Sequence, residues 1–141
     1  MDNEYGKSKL EAESILNRLQ SENGNPVFIF RLPNVFGKWC LPNYNSVIAT
    51  FCYNIVRDLP VKINDPDATI VLAYIDDVID KFINILNNFS QNFDQSLTTY
   101  KITLGELYRI LQSFKQSRKD LVIPNVGTGL IRALYATFTS I

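Results

Sequence analysis

Residues 27–58 read VFIFRLPNVFGKWCLPNYNSVIATFCYNIVRD, and the way this stretch folds decides the class of the molecule. VFIFRL (27–32) is a short, nearly continuous apolar run, of the kind found in parallel strands that are covered on both faces. PNVFGKWCLPNYN (33–45) is interrupted by Pro, Gly and Asn and reads as a loop. Residues 46–58 then predict a helix, with Val47, Ile48, Phe51, Cys52, Ile55 and Val56 facing inward. Strand followed by helix is the repeating unit of an α/β fold.

The alternation extends in both directions. Residues 4–22 predict a helix with Ala12, Ile15, Leu16 and Leu19 at helical spacing, stopped by Asn23-Gly24-Asn25-Pro26. VKI (61–63) and TIVLAY (69–74) read as strands around the turn Asn64-Asp65-Pro66-Asp67. Residues 76–89 predict a third helix, with Val78, Ile79, Phe82, Ile83 and Leu86 on its inner face. QNFDQSLT (91–98) is a loop and YKI (100–102) a short strand. Thr103 and Glu106 have capping-box spacing and start a fourth helix that runs to about Lys119. Ile123-Pro124-Asn125 and the Gly127/Gly129 pair interrupt the chain before a last amphipathic helix over 130–139.

A chain of 141 residues suffices for one modest domain with a core, and its 46% hydrophobic and 20% charged residues make a globular composition. The formal net charge is zero, which argues against a nucleic-acid or anionic-membrane surface as the main business. Cys40 and Cys52 lack metal-ligand spacing and read as reduced thiols of a cytoplasmic protein. No stretch resembles a signal peptide or has the length to span a bilayer. The chain contains no histidine. That excludes Ser-His-Asp and Cys-His catalysis, and any His-ligated metal, from within it.

Acid–base chemistry would then fall to another residue type, and the first helix offers one. It opens Y-G-K-S-K, placing Tyr5 and Lys9 one helical turn apart. At about 100° per residue, Tyr5 falls in the middle of the Ala12, Ile15, Leu16, Leu19 stripe, and Lys9 lies about 40° to its side. The stripe is expected to be buried. An ammonium beside a phenol favours the phenolate, so such a tyrosine can exchange a proton nearer neutral pH than its ordinary pKa of about 10 allows. On spacing alone, a core tyrosine with a snorkelling lysine is the favoured reading, because Y-x-x-x-K occurs often by chance.

Other polar residues read as structural. Asp76 and Asp77 suit a helix N-terminus, one capping and one opposing the dipole. Trp39 reads as a packing residue, Arg31 as a buried ion-pair partner and Lys38 as a solvated loop lysine. Pro33-Asn34 suits a tight loop, and Asn45-Ser46 an ordinary N-cap.

Taken in order, Y-G-K-S-K-L-E-A-E, R-L-P-N-V-F-G and Y-I-D-D-V resemble the extended short-chain dehydrogenase/reductases, the NAD-dependent epimerase/dehydratase family. The resemblance covers almost the whole chain. The stretches F-G-K-W-C-L-P-N-Y-N-S-V-I-A-T-F-C-Y-N-I and K-I-T-L-G-E-L-Y-R-I-L-Q-S-F-K-Q-S-R are similar to the capsular-polysaccharide reductases of UDP-linked 4-keto-6-deoxy amino sugars, which carry a C-terminal cupin domain. The resemblance implies that Tyr5 is the proton donor. Lys9 would lower its pKa and hold the nicotinamide ribose. Pro33 would lie against the nicotinamide, and Asn34 would touch the nucleotide sugar. Asn45 and Ser46 would meet the UDP diphosphate or uridine, a placement that the affinity of helix N-termini for phosphate also supports. The implied cofactor is NADP, or NAD, and no metal is implied.

Two departures stand out. The place near Ile70, where many members carry an arginine for the diphosphate, is apolar. No G-x-x-G-x-x-G turn occurs, although the family's cofactor half begins with one. The expectation is therefore a single partial domain over 1–141: the C-terminal part of an NAD(P)-binding Rossmann-type domain plus the substrate-binding lobe. Such a portion would be inactive alone. Its uncovered sheet edges would favour self-association, with a homodimer as one outcome. A nucleotide-sugar epimerase or dehydratase fragment, or a non-catalytic chain acting by association, are the alternatives.

Overall fold

The structure, a computed structural model, describes residues 3–88 and 96–141. Its elements are α1 (Glu4–Asn23), β1 (Asn34–Phe36), α2 (Val47–Val56), β2 (Thr69–Tyr74), α3 (Ile75–Asn87), β3 (Tyr100–Thr103), α4 (Leu104–Asp120) and α5 (Gly129–Thr139). Residues 91–95 of the expected loop, and position 89 of the expected third helix, lie outside the described residues.

The three strands form one mixed sheet in the order β1-β2-β3. β1 runs parallel to β2, with Asn34 opposite Leu72 and Phe36 opposite Tyr74. β3 is antiparallel to β2, with Thr69 opposite Thr103 and Leu72 opposite Tyr100. The α/β class expected from the sequence is what the structure shows.

Two expected strands pair with nothing as strands among the described residues. VFIFRL (27–32) makes no ladder, and the strand begins only at Asn34. The reason is register. Carried back along the chain, the β1–β2 pairing would set 27–32 against 65–70, where Asp65, Pro66 and Asp67 form a turn. Pro66 has no N–H to offer. VKI (61–63) fails differently, because both edges of β2 are already taken by β1 and β3. Val61 and Ile63 instead lay their side chains against the core.

The core lies between the sheet and α2, α4 and α5. Phe36, Leu72, Tyr74 and Ile102 from the strands meet Ile48, Phe51, Cys52 and Ile55 of α2. Leu107, Leu111 and Phe114 of α4 join them with Leu134 and Phe138 of α5. The inward set expected for α2 is borne out. Phe114 stacks edge-on against Tyr135 and Phe138, with centroids 5.1 and 5.8 Å away. α4 starts with the complete capping box expected at Thr103 and Glu106.

α3 departs from expectation. Val78 and Ile85 are buried, but Ile79, Phe82, Ile83 and Leu86 remain 40–82% exposed. α1 departs further, since none of its residues is buried. Both helices therefore have an apolar face that the described residues cover only in part.

This asymmetry is measurable. Leu107→Ala removes a fully buried side chain and is expected to cost about 2–5 kcal/mol in urea unfolding. Leu16→Ala, on α1, is expected to change stability by less than about 0.5 kcal/mol, because alanine suits a helix at least as well as leucine.

Candidate active site

α1 places the Tyr5–Lys9 pair in its first two turns. Asn3 caps the helix, its Oδ1 accepting from the Gly6 N–H at 2.7 Å. Gly24 ends it in the left-handed conformation, with φ at 67°, where a residue bearing a Cβ would be strained. The Lys9 ammonium lies 5.3 Å from the centre of the Tyr5 ring. The pairing expected from the spacing is present. The expected burial is not, since Tyr5 is 68% exposed and Ile15, Leu16 and Leu19 are 39–50% exposed.

α1 is held by a two-pronged ion pair rather than by packing. Arg31 Nε donates to Glu13 Oε1 at 3.0 Å, and Nη2 to Oε2 at 2.7 Å. These hydrogen bonds, followed by the guanidinium's charge, hold the Glu13 carboxyl below the ordinary carboxylate range. Arg31 is thus an ion-pair partner as read from the sequence, but an exposed one, because it crosses the gap beside α1 rather than entering the core.

The cofactor candidate Pro33 and the substrate candidates Asn34, Asn45 and Ser46 sit elsewhere, around β1 and the loop after it. Pro33 is half-buried next to the strand. Asn34 opens β1, and its Nδ2 donates to the Val71 carbonyl at 3.1 Å. Ser46 caps α2, with its Oγ accepting from the Ala49 N–H at 3.2 Å. Asn45, beside it, is exposed. The structure thus groups Pro33 with Asn34 and Asn45 with Ser46.

The loop between these groups is fastened at several points that the sequence reading missed. Lys38 is not simply solvated: its Nζ lies 3.1 Å from Asp76 Oδ2. Neither Asp76 nor Asp77 caps α3, because Tyr74 occupies the cap position and makes no side-chain cap bond. Both carboxylates serve tertiary contacts instead, Asp77 accepting from the Tyr100 hydroxyl at 3.3 Å. Tyr74 is 5% exposed, and burial, then its hydrogen bond to Asp76, push its phenol up to about 12. Trp39 does not pack in the core but is 79% exposed, because its φ of 60° turns it outward while its N–H donates to Ser140 Oγ. Asn43 is also left-handed, and its N–H donates to Thr50 Oγ1 at 2.9 Å. Gly37 is squeezed against Ile75, where any Cβ would collide. The one signal in the sequence was adjacency: Y-I-D-D-V puts Tyr74 and both aspartates at one strand end.

A polar depression of about 430 Å³ lies beside Asp77, Asp80, Lys81, Asn84 and Thr98, and none of the candidate residues lines it. Among the described residues, no group of three His, Cys, Asp or Glu side chains could hold a metal ion, and no helix is long and apolar enough to cross a membrane.

A family profile, described as the NAD dependent epimerase/dehydratase family, matches residues 2–122. The chain belongs to that family. It is 51% identical over 142 aligned residues to a Pseudomonas aeruginosa protein, UDP-2-acetamido-2,6-beta-L-arabino-hexul-4-ose reductase. That match takes in 99% of this chain and 38% of the relative. Among solved structures, it is similar to the capsular polysaccharide assembling protein CapF from Staphylococcus aureus, at 41% identity and a TM-score of 0.89. There it covers 99% of this chain and 40% of CapF, so the chain spans about two fifths of both relatives. UDP-glucuronic acid 4-epimerase from Bacillus cereus, solved with NAD, shares the fold at 17% identity, with a TM-score of 0.78 over 99% of this chain and 52% of the epimerase. The resemblance read from the three ordered motifs is borne out at the level of the family and of its reductase members.

The tether of α1 gives a pH prediction. A carboxyl with a depressed pKa contributes stability above its unfolded value, here 4.5, and loses it as pH falls through the folded value. Amide exchange in α1, corrected for intrinsic rate, should therefore rise on acidification from about pH 6 to about pH 3. Arg31→Gln should show the loosened α1 already at the higher pH.

Proposed function

We propose that this chain is the substrate-side portion of a nicotinamide-dependent reductase acting on a UDP-linked 4-keto-6-deoxy amino sugar, in capsular or surface polysaccharide biosynthesis. The observation that carries the reading is the Tyr5–Lys9 pair at the start of α1, with the ammonium 5.3 Å from the phenol ring. A histidine-free chain at 51% identity to a protein named as a UDP-sugar reductase supports the same reading.

In this proposal the Tyr5 hydroxyl gives its proton to the ketone oxygen as the carbonyl becomes an alcohol. Lys9, beside the ring, favours the anion left on Tyr5. A proton from water then restores the phenol. A reduced nicotinamide, when bound, supplies the hydride that completes the change. Lys9 would hold its ribose, and Pro33 would lie against its ring. Asn34 would orient the sugar. Asn45 and Ser46, at the α2 N-terminus, would face the nucleotide, where unpaired N–H groups and the helix dipole favour a diphosphate.

The residues present suit only one end of a dinucleotide. The glycines stand at 6, 24, 37, 105, 127 and 129, and no set of them has the spacing of a pyrophosphate-cradling turn. The proposal therefore includes weak dinucleotide binding and no turnover by the chain alone.

Calorimetric titration tests it. UDP should bind the purified chain, and NADPH should bind far more weakly. Tight NADPH binding, or no UDP binding, would count against the reading. In an enzyme completed with the family's cofactor half, Tyr5→Phe should lower kcat by about 10²–10⁴-fold, with UDP affinity unchanged.

A further inference from the structure

We propose that Ser140, in the turn that ends α5, is a positioning residue of the candidate site. Its hydroxyl holds the Trp39 backbone, and so sets the loop 37–43 that joins the Pro33–Asn34 group to the Asn45–Ser46 group. The role rests on the substrate reading for its ligand, a uridine diphosphate, but not for the latch itself.

The two sides of the latch differ in character. Ser140 Oγ donates to the Thr137 carbonyl at 2.7 Å, which uses its one proton and leaves lone pairs to accept. The Trp39 N–H donates to that oxygen at 3.1 Å, across 101 positions of sequence. The Ser140 side is rigid, because Ala133, Leu134, Thr137 and Phe138 of α5 are 0–3% exposed. The Trp39 side is strained. A φ of 60° is unfavourable for a bulky side chain, and a residue held there depends on its surroundings to keep it.

Backbone strain of this kind clusters at ligand clamps and active sites. The place in the fold agrees. The loop leaves the C-terminal end of β1, and Gly37 lies against Tyr74 and Ile75 at the C-terminal end of β2, which runs parallel to β1. α/β sheets bind ligands outside the C-terminal ends of their parallel strands.

The other fastenings do not replace this one. The Lys38–Asp76 pair joins two part-exposed side chains, where water and salt weaken it. The Asn43–Thr50 bond holds the far end of the loop, next to α2. Of the three, the Ser140 bond is the one on the backbone of Trp39 itself.

Ser140→Ala and Ser140→Thr of the 141-residue chain would be compared with wild type. Trp39 is the chain's one tryptophan, so time-resolved fluorescence anisotropy reads this loop alone. Ser140→Ala should add a fast local component to the decay. It should also speed exchange of the Trp39 amide by about threefold to tenfold, the factor that one hydrogen bond is worth. The dissociation constant for UDP, from calorimetry, should rise by a similar factor, because only the latched loop is competent to bind. Ser140→Thr keeps the hydroxyl and should restore all three readouts. Leu107→Ala, which weakens the core, should move none of them under native conditions. Trp39 readouts unmoved by Ser140→Ala, a UDP constant unchanged while Trp39 loosens, or Ser140→Thr behaving like Ser140→Ala would each overturn the proposal. A wild-type chain that binds no UDP would sink the substrate reading instead. The Trp39 amide then decides the latch, faster exchange in Ser140→Ala supporting it and unchanged exchange overturning it.

Discussion

Among the described residues β2 is the one strand with a partner on each side, and the rest of the described molecule is arranged by that fact. Its parallel edge takes β1 and so sets the loop after β1 above the strand ends. Its antiparallel edge takes β3, which leads into the capping box of α4. Leu72 and Tyr74 point from it into the core that α2, α4 and α5 close. With both edges occupied, every other extended stretch must find its hydrogen bonds elsewhere or go without a ladder.

That constraint divides the molecule into two regions of unequal cohesion. The region around α2, α4 and α5 has fully buried leucines and a ring cluster. The region of α1, segment 27–32 and the outer face of α3 is tied together by the Glu13–Arg31 ion pair and the Phe30–Phe82 ring contact, and its side chains are at most half-buried along 27–32. The residues expected to carry proton chemistry lie in the second region, whereas the expected nucleotide-facing residues lie against the first.

Much of this was legible in the sequence where local chemistry decides structure. Thr103 and Glu106 announced the cap of α4, and the period of Ile48, Phe51, Cys52 and Ile55 announced the buried face of α2. Both depend on neighbours close in sequence. VFIFRL was misread as a ladder strand because its composition reports what it would suit, whereas pairing depends on a partner at the right register. The α3 face was misread for the same reason, since periodicity shows that Ile79 and Ile83 share a side but not that something covers it. In the candidate site, the Tyr5–Lys9 pairing followed from helical spacing. The contacts of Lys38 and Tyr100 did not, because they join residues 23 or more positions apart, as at Tyr100–Asp77 and Lys38–Asp76.

The fastened loop after β1 has a thermodynamic consequence. Fixing one residue's backbone costs about 1–2 kcal/mol of conformational entropy, and a loop that closes only on its ligand charges that cost against affinity. Here residues 37–43 are already ordered by Ile75, Asp76, Ser140 and Thr50, with Trp39 and Asn43 held in the left-handed region. The entropy is lost when the chain folds. A ligand that meets this loop encounters a surface of settled shape, and selectivity there follows from fit rather than from rearrangement.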